Sequence, residues 1–128
     1  MAAPNIVNVT TITGVTTFKS GIGTAGAITT VVSNAASSGK VLKINSLVAA
    51  GLGATTGVTL QYFNDNNHVS ASSTVSIGMT IAVPTFSTLV LISKENQLYL
   101  EENTSLGIFS QPNTGGSIDV VCSFEEIN

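Results

Sequence analysis

Hydrophobic and polar residues alternate along most of this chain, and the period is two. Ile118, Val120, Cys122 and Phe124 fall on one side of an extended segment, with Ser117, Asp119, Ser123 and Glu125 on the other and Val121 as the exception. Val58, Leu60 and Tyr62 alternate in the same way with Thr59 and Gln61. Successive side chains on a strand point to opposite faces, so the pattern predicts half-buried β-strands. Val75, Ile77, Met79, Ile81 and Val83 keep one parity across Gly78, as a strand with a bulge or bend would. Residues 40–49 and 86–93 carry more continuous apolar runs and are expected to be buried on both faces or packed at an interface.

Turn signals separate these runs. Asn64, Asp65, Asn66 and Asn67 form the clearest one, because Asn and Asp tolerate left-handed backbone and bond their own main chain. Others lie at residues 37–39, 51–57, 95–96, 102–103 and 112–116. The Gly-rich stretch 20–27 reads as a surface loop between strands near residues 15–19 and 28–33. No stretch has a helical period, and residues 34–38 hold one turn at most. About eight to ten strands at a spacing of roughly ten residues predict an all-β fold, a single antiparallel domain spanning residues 1–128 with the pattern of a sandwich or barrel. Sandwich and barrel share this alternation, so sequence does not separate them.

Composition narrows the function classes. Hydrophobic residues make up 43% and charged residues 9%, against about 25% charged in an ordinary soluble domain. The four basic residues are Lys19, Lys40, Lys43 and Lys94, there is no Arg, and the net charge is −3. A nucleic-acid binder needs a basic stripe to neutralise phosphates, so no nucleic-acid partner is expected. The single cysteine, Cys122, leaves no intrachain disulfide, which favours assembly in a reducing compartment. The start of the chain is not expected to be a secretory signal, since a basic segment followed by an apolar core is missing. The longest apolar stretch, residues 47–54, is interrupted by Gly51 and Gly53 and is far below the ~20 residues of a membrane-spanning helix, so no membrane association is expected.

Candidate chemistry is sparse. Gly21-Ile22-Gly23-Thr24-Ala25-Gly26 matches G-x-G-x-x-G, but the following residues 27–32 are β-branched and no acid lies about 20 residues on to hold a ribose. Residues 34–40 resemble the end of a phosphate loop without its first glycine, and Val41 stands where Ser or Thr would bind magnesium. His68 with Asp65 is not a metal constellation, and the Asn-rich turn offers too few carboxylates for calcium. Glu101-Glu102 and Glu125-Glu126 each present one carboxylate per strand face, as solvated or intersubunit charges. Cys122 reads as a small core hydrophobe. No nucleophile, base and orienter assemble, so the expectation is no enzyme, with no catalytic, cofactor-binding or metal residues and no small-molecule substrate. A surface of hydroxyls, amides and small apolar groups costs little to desolvate, which predicts that much of it is covered in use, by copies of itself or by a larger lattice.

Four segments carry a family resemblance. They are residues 3–9 (APNIVNV), 32–41 (VSNAASSGKV), 91–94 (LISK) with 98–102 (LYLEE), and 122–127 (CSFEEI). They resemble small β-rich virion structural proteins of tailed phages, especially cyanophages. The resemblance implies a sandwich or jelly-roll-like subunit present in many copies on a virion assembled in the host cytoplasm. It implies a capsid decoration or cement protein as the first reading, partnered by the major capsid protein or other virion proteins and forming a homo-oligomer. A tail, neck or baseplate subunit is the alternative. A receptor- or carbohydrate-binding module on the virion is another, with Tyr62, Tyr99 and the Asn-rich turn as its candidates. No catalytic or ligand residue is carried over.

Overall fold

The computed structural model describes residues 7–23, 28–53, 56–66, 74–110 and 116–128. Among these are nine strands: β1 (Ile12–Ile22), β2 (Thr29–Asn34), β3 (Val41–Gly53), β4 (Thr56–Phe63), β5 (Thr74–Val83), β6 (Thr88–Ile92), β7 (Leu98–Leu100), β8 (Thr104–Ser110) and β9 (Gly116–Ile127). One 3-10 turn, Lys94–Asn96, joins β6 to β7 where the sequence signalled a turn.

The strands form two antiparallel sheets, and the fold is an all-β sandwich. The first sheet runs β1-β9-β3-β6. Both β6 and β7 pair with β3, β6 along Leu47–Ala50 and β7 along Leu42–Ile44. The second sheet runs β2-β8-β4-β5. The pairs are nested in chain order: β1 with β9, β2 with β8, β3 with β6, and β4 with β5. Successive pairs fall alternately in the first and second sheets, so the chain wraps as one long hairpin around a shared interior.

That interior is made of the predicted faces. Ile44, Leu47 and Ala49 of β3, Val58 and Leu60 of β4, Leu106 and Ile108 of β8, and Ile118, Val120 and Cys122 of β9 are fully buried in one cluster. Each large aliphatic side chain of this set stabilises the fold by roughly 1.5–3 kcal/mol through the apolar area it withdraws from water. Two buried hydroxyls find backbone partners: that of Ser110 donates to the Gly23 carbonyl at 2.5 Å, and that of Ser105 to the Asp65 carbonyl at 2.7 Å.

Three expectations change. First, the 20–27 stretch is not all loop. β1 continues to Ile22, with an irregular step after Lys19, and Ile22 enters the core; Gly21 takes φ +62°, open to a residue without Cβ. Residues 24–27 lie outside the described set. Second, of the predicted apolar parity on β5 only Val83 is buried. β5 is the edge of its sheet, and register shifts against β4 on either side of Gly78 break its alternation. The extra residue is accommodated at Thr80, which takes φ +49° and donates its N–H to the hydroxyl of the fully buried Thr59 at 3.0 Å. Third, of the two readings of residues 86–93, burial on both faces fails, since Phe86 is 82% and Val90 58% exposed. Phe86 sits at φ +55° in the turn that crosses between sheets, closed by Ser87 N–H donating to the Pro84 carbonyl. On β3 too, the half-buried Lys43 and Val48 alternate with buried Ile44 and Ala49.

Candidate interaction surface

The residues that could have carried chemistry are not gathered. Gly21 N–H, which a phosphate loop would aim at an anion, donates instead to Asp119 Oδ1 at 2.7 Å. β1 is the element that carries it, and the next described element is a strand, not a helix. Asn34 is buried and serves as a structural hub: its Nδ2 donates to the carbonyls of Lys40 (2.8 Å) and Leu100 (3.1 Å), and its Oδ1 accepts from Ser38 Oγ (2.6 Å). Lys40 Nζ is paired with Glu126 Oε2 at 2.9 Å, and Lys43 Nζ with Glu125 Oε2 at 3.6 Å. The second acidic pair is thus bound within the chain. Glu101 is exposed, whereas Glu102 Oε2 is shielded from solvent with no hydrogen-bond partner among the described residues. Asp65 closes β4 near Ser105, and His68 lies outside the described residues. Tyr62 packs half-buried against the core on β4, while Tyr99 is on β7 of the other sheet, so the two do not form a joint platform. Among the described residues no three His, Cys, Asp or Glu side chains group as metal ligands, and no helix is long and apolar enough to cross a membrane.

Cys122 sits on β9 among Ile118, Val120 and Phe124 of the core, and burial pushes its thiol up to about 12. The thiolate is the reactive form, so this sulfur is inert in the native fold. A maleimide is expected to leave Cys122 unlabelled at pH 8 in buffer and to label it fully in denaturant; rapid native labelling would contradict the packing. The linkage has a definite sign. Above pH 9 an unfolded thiol sheds its proton while the buried one keeps it, so stability is intact below pH 9 and declines from there toward 12.

What the fold does assemble is a surface. Ser117, Asp119, Val121, Ser123 and Glu125 share the outer face of β9, because the residues between them face the core. Register then fixes their neighbours. Val121 pairs with Phe18 of β1 on one side and Val48 of β3 on the other, and Val48 pairs with Val90 of β6. Phe18, Val121, Val48 and Val90 therefore form an apolar row across the whole first sheet, on the face away from the core. Phe18 is 70% and Val121 40% exposed. Val121, the residue that broke the alternation, is a member of this row. The parallel row Thr16–Ser123–Ser46 is uncharged, and Thr16 Oγ1 and Ser123 Oγ lie 3.1 Å apart. Further along, Gly14, Glu125, Lys43 and Tyr99 make the row that carries the ion pair. At the opposite end Ser117 pairs with Leu52. A second exposed apolar region lies along β5, where Val75, Ile77, Met79 and Ile81 all reach solvent without a charged residue in the strand.

No protein-family model matches this sequence, and no curated protein does. Among solved structures, a chain of the cyanophage Pam1 capsid asymmetric unit is similar at 16% identity, covering 98% of this chain and 91% of that chain, with a TM-score of 0.35.

Proposed function

We propose that this chain is a structural protein of a phage virion, and specifically a capsid decoration or cement protein that works by being covered. The observation that carries this reading is the exposed apolar surface of two regions, the Phe18–Val121–Val48–Val90 row and the β5 edge. Free sheet edges in soluble proteins are normally blunted with charge or proline; β5 has neither, and its bulges break its pairing register. Contiguous exposed apolar surface marks interaction sites. The sequence resemblance to small virion proteins supports the same reading. The nested pairing of strands supports a jelly roll, an architecture recurrent in viral capsid and lectin domains. On this reading the partners are the major capsid protein or other virion proteins, and the location is the virion. The chain is read as non-enzymatic.

The mechanism is linkage. A protein that binds the assembled lattice and not its separate parts stabilises the lattice by mass action, with no chemistry required of its residues. Particles stripped of this protein are expected to release their genome at a lower temperature than intact particles, and purified protein added back is expected to restore the difference. Stripped particles that melt like intact ones, or a density map placing the protein in the tail, would overturn the decoration role.

A further inference from the structure

We propose that the outer face of the first sheet binds the same face of a second copy, about a two-fold axis lying in the interface, parallel to the strands and between β3 and β9. This inference stands apart from the virion reading, because self-association holds or fails in solution whether or not a particle is present.

The charge pattern selects this axis. Rotation about it reverses the strand order within each row and keeps each row at its own height. Glu125 on β9 then comes over the partner's Lys43 on β3, and Lys43 over the partner's Glu125. The intrachain pair, already 3.6 Å apart, becomes one side of a square of alternating charges. An axis in the same plane but across the strands would lay the Glu125–Lys43 row over the Ser117–Leu52 row. Both members of the ion pair would then face an apolar side chain and a hydroxyl, a costly arrangement, whereas the chosen axis sets only Asp119, which already accepts the Gly21 N–H at 2.7 Å, over the partner's Ala50.

The apolar row fits the same axis. Phe18 comes over the partner's Val90 and Val121 over the partner's Val48, setting the largest side chain of the row against a small one at each end. Stacked sheets pack about 10 Å apart, within reach of such side chains. The face spans four strand widths by the run from Ser117 to Glu125, so it would bury on the order of 1,000 Å² in the pair, at the lower bound for a specific interface. An isologous contact of this kind is the commonest form of oligomer. The β5 edge lies in the other sheet and stays free for a different partner.

The test is analytical ultracentrifugation of the full chain with charge variants. The wild type is expected to dimerise. Lys43→Glu and Glu125→Lys each create like-charge contacts twice per dimer, and each alone is expected to weaken self-association by about tenfold or more. Mixed together they are expected to form a one-to-one heterodimer, because each then meets its opposite. Neither loss of the intrachain pair nor a folding defect produces that rescue. Phe18→Ser, at a site exposed in the single chain, is expected to weaken the dimer while leaving the melting temperature unchanged at dilutions where the wild type is monomeric. A wild type that stays monomeric at millimolar concentration, or an oligomer indifferent to both charge variants, would overturn the proposal.

Discussion

Replacing Phe63 with alanine is expected to lower stability by about 4 kcal/mol, one of the two largest single effects in the chain. Phe63 is buried, yet it lies outside the main core cluster. It ends β4 with its ring over Gly107 of β8, on the outer side of the second sheet. A Cβ added at Gly107 would come 2.6 Å from Phe63 Cε2 and 2.7 Å from Ile28 Cγ2. The glycine makes room for a ring that seals this face against the approach to β2. Truncation therefore leaves the space over Gly107 unfilled. The melting temperature is expected to fall by about 15 °C, whereas Met79→Ala at the exposed β5 edge should stay within about 0.5 kcal/mol of wild type. A cycle pairing Phe63→Leu with Gly107→Ala adds a second check. The alanine should cost less when the ring is gone, since part of its clash is with that ring, and strictly additive effects would refute the contact.

Asn34→Ala is expected to cost about 3 kcal/mol, read as a shift of the urea midpoint without a change in slope. Its side chain donates twice and accepts once, joining the β2–β3 turn to the end of β7. Its own carbonyl accepts the N–H of Asn103 at 2.9 Å, which ties in the β7–β8 turn as well. Removing the amide strands the carbonyls of Lys40 and Leu100 without that donor. Asn34→Asp is the sharper test, because the shape is kept and the donors are lost. Burial against two carbonyls raises the pKa of such a carboxyl above its unfolded value of about 4. The variant should therefore be least stable at neutral pH and recover as pH falls and the carboxyl regains a proton. A variant whose stability does not change between neutral and acid pH would show that the site does not penalise a carboxylate.

Much of the architecture was legible because alternation is a local signal. Ile118, Val120, Cys122 and Phe124 go inward as their spacing predicts, and so do Val58 and Leu60. What failed did so for non-local reasons. The bulge expected at Gly78 is present, but β5 is an edge strand with shifted register, and its apolar parity leaves Ile77 and Met79 exposed. Phe63 fell outside the Val58–Tyr62 alternation and gave no sign of burial, because its cover comes from Gly107 and Ile28, far off in sequence. Asn34 read as part of a weak phosphate-loop match, and only the approach of Leu100 and Asn103 shows what the amide is for.

The interaction surface divides the same way. Sequence by itself determined that the chain forms neutral, hydroxyl-rich strands with one apolar residue, Val121, on the wrong face. Those are consequences of side-chain type and spacing within a few residues. Tertiary structure alone decided that Val121 stands beside Phe18, Val48 and Val90, and that Glu125 stands beside Lys43. Those neighbours are set by strand order and register, which long-range pairing fixes. A row running across a sheet therefore leaves no period along the chain.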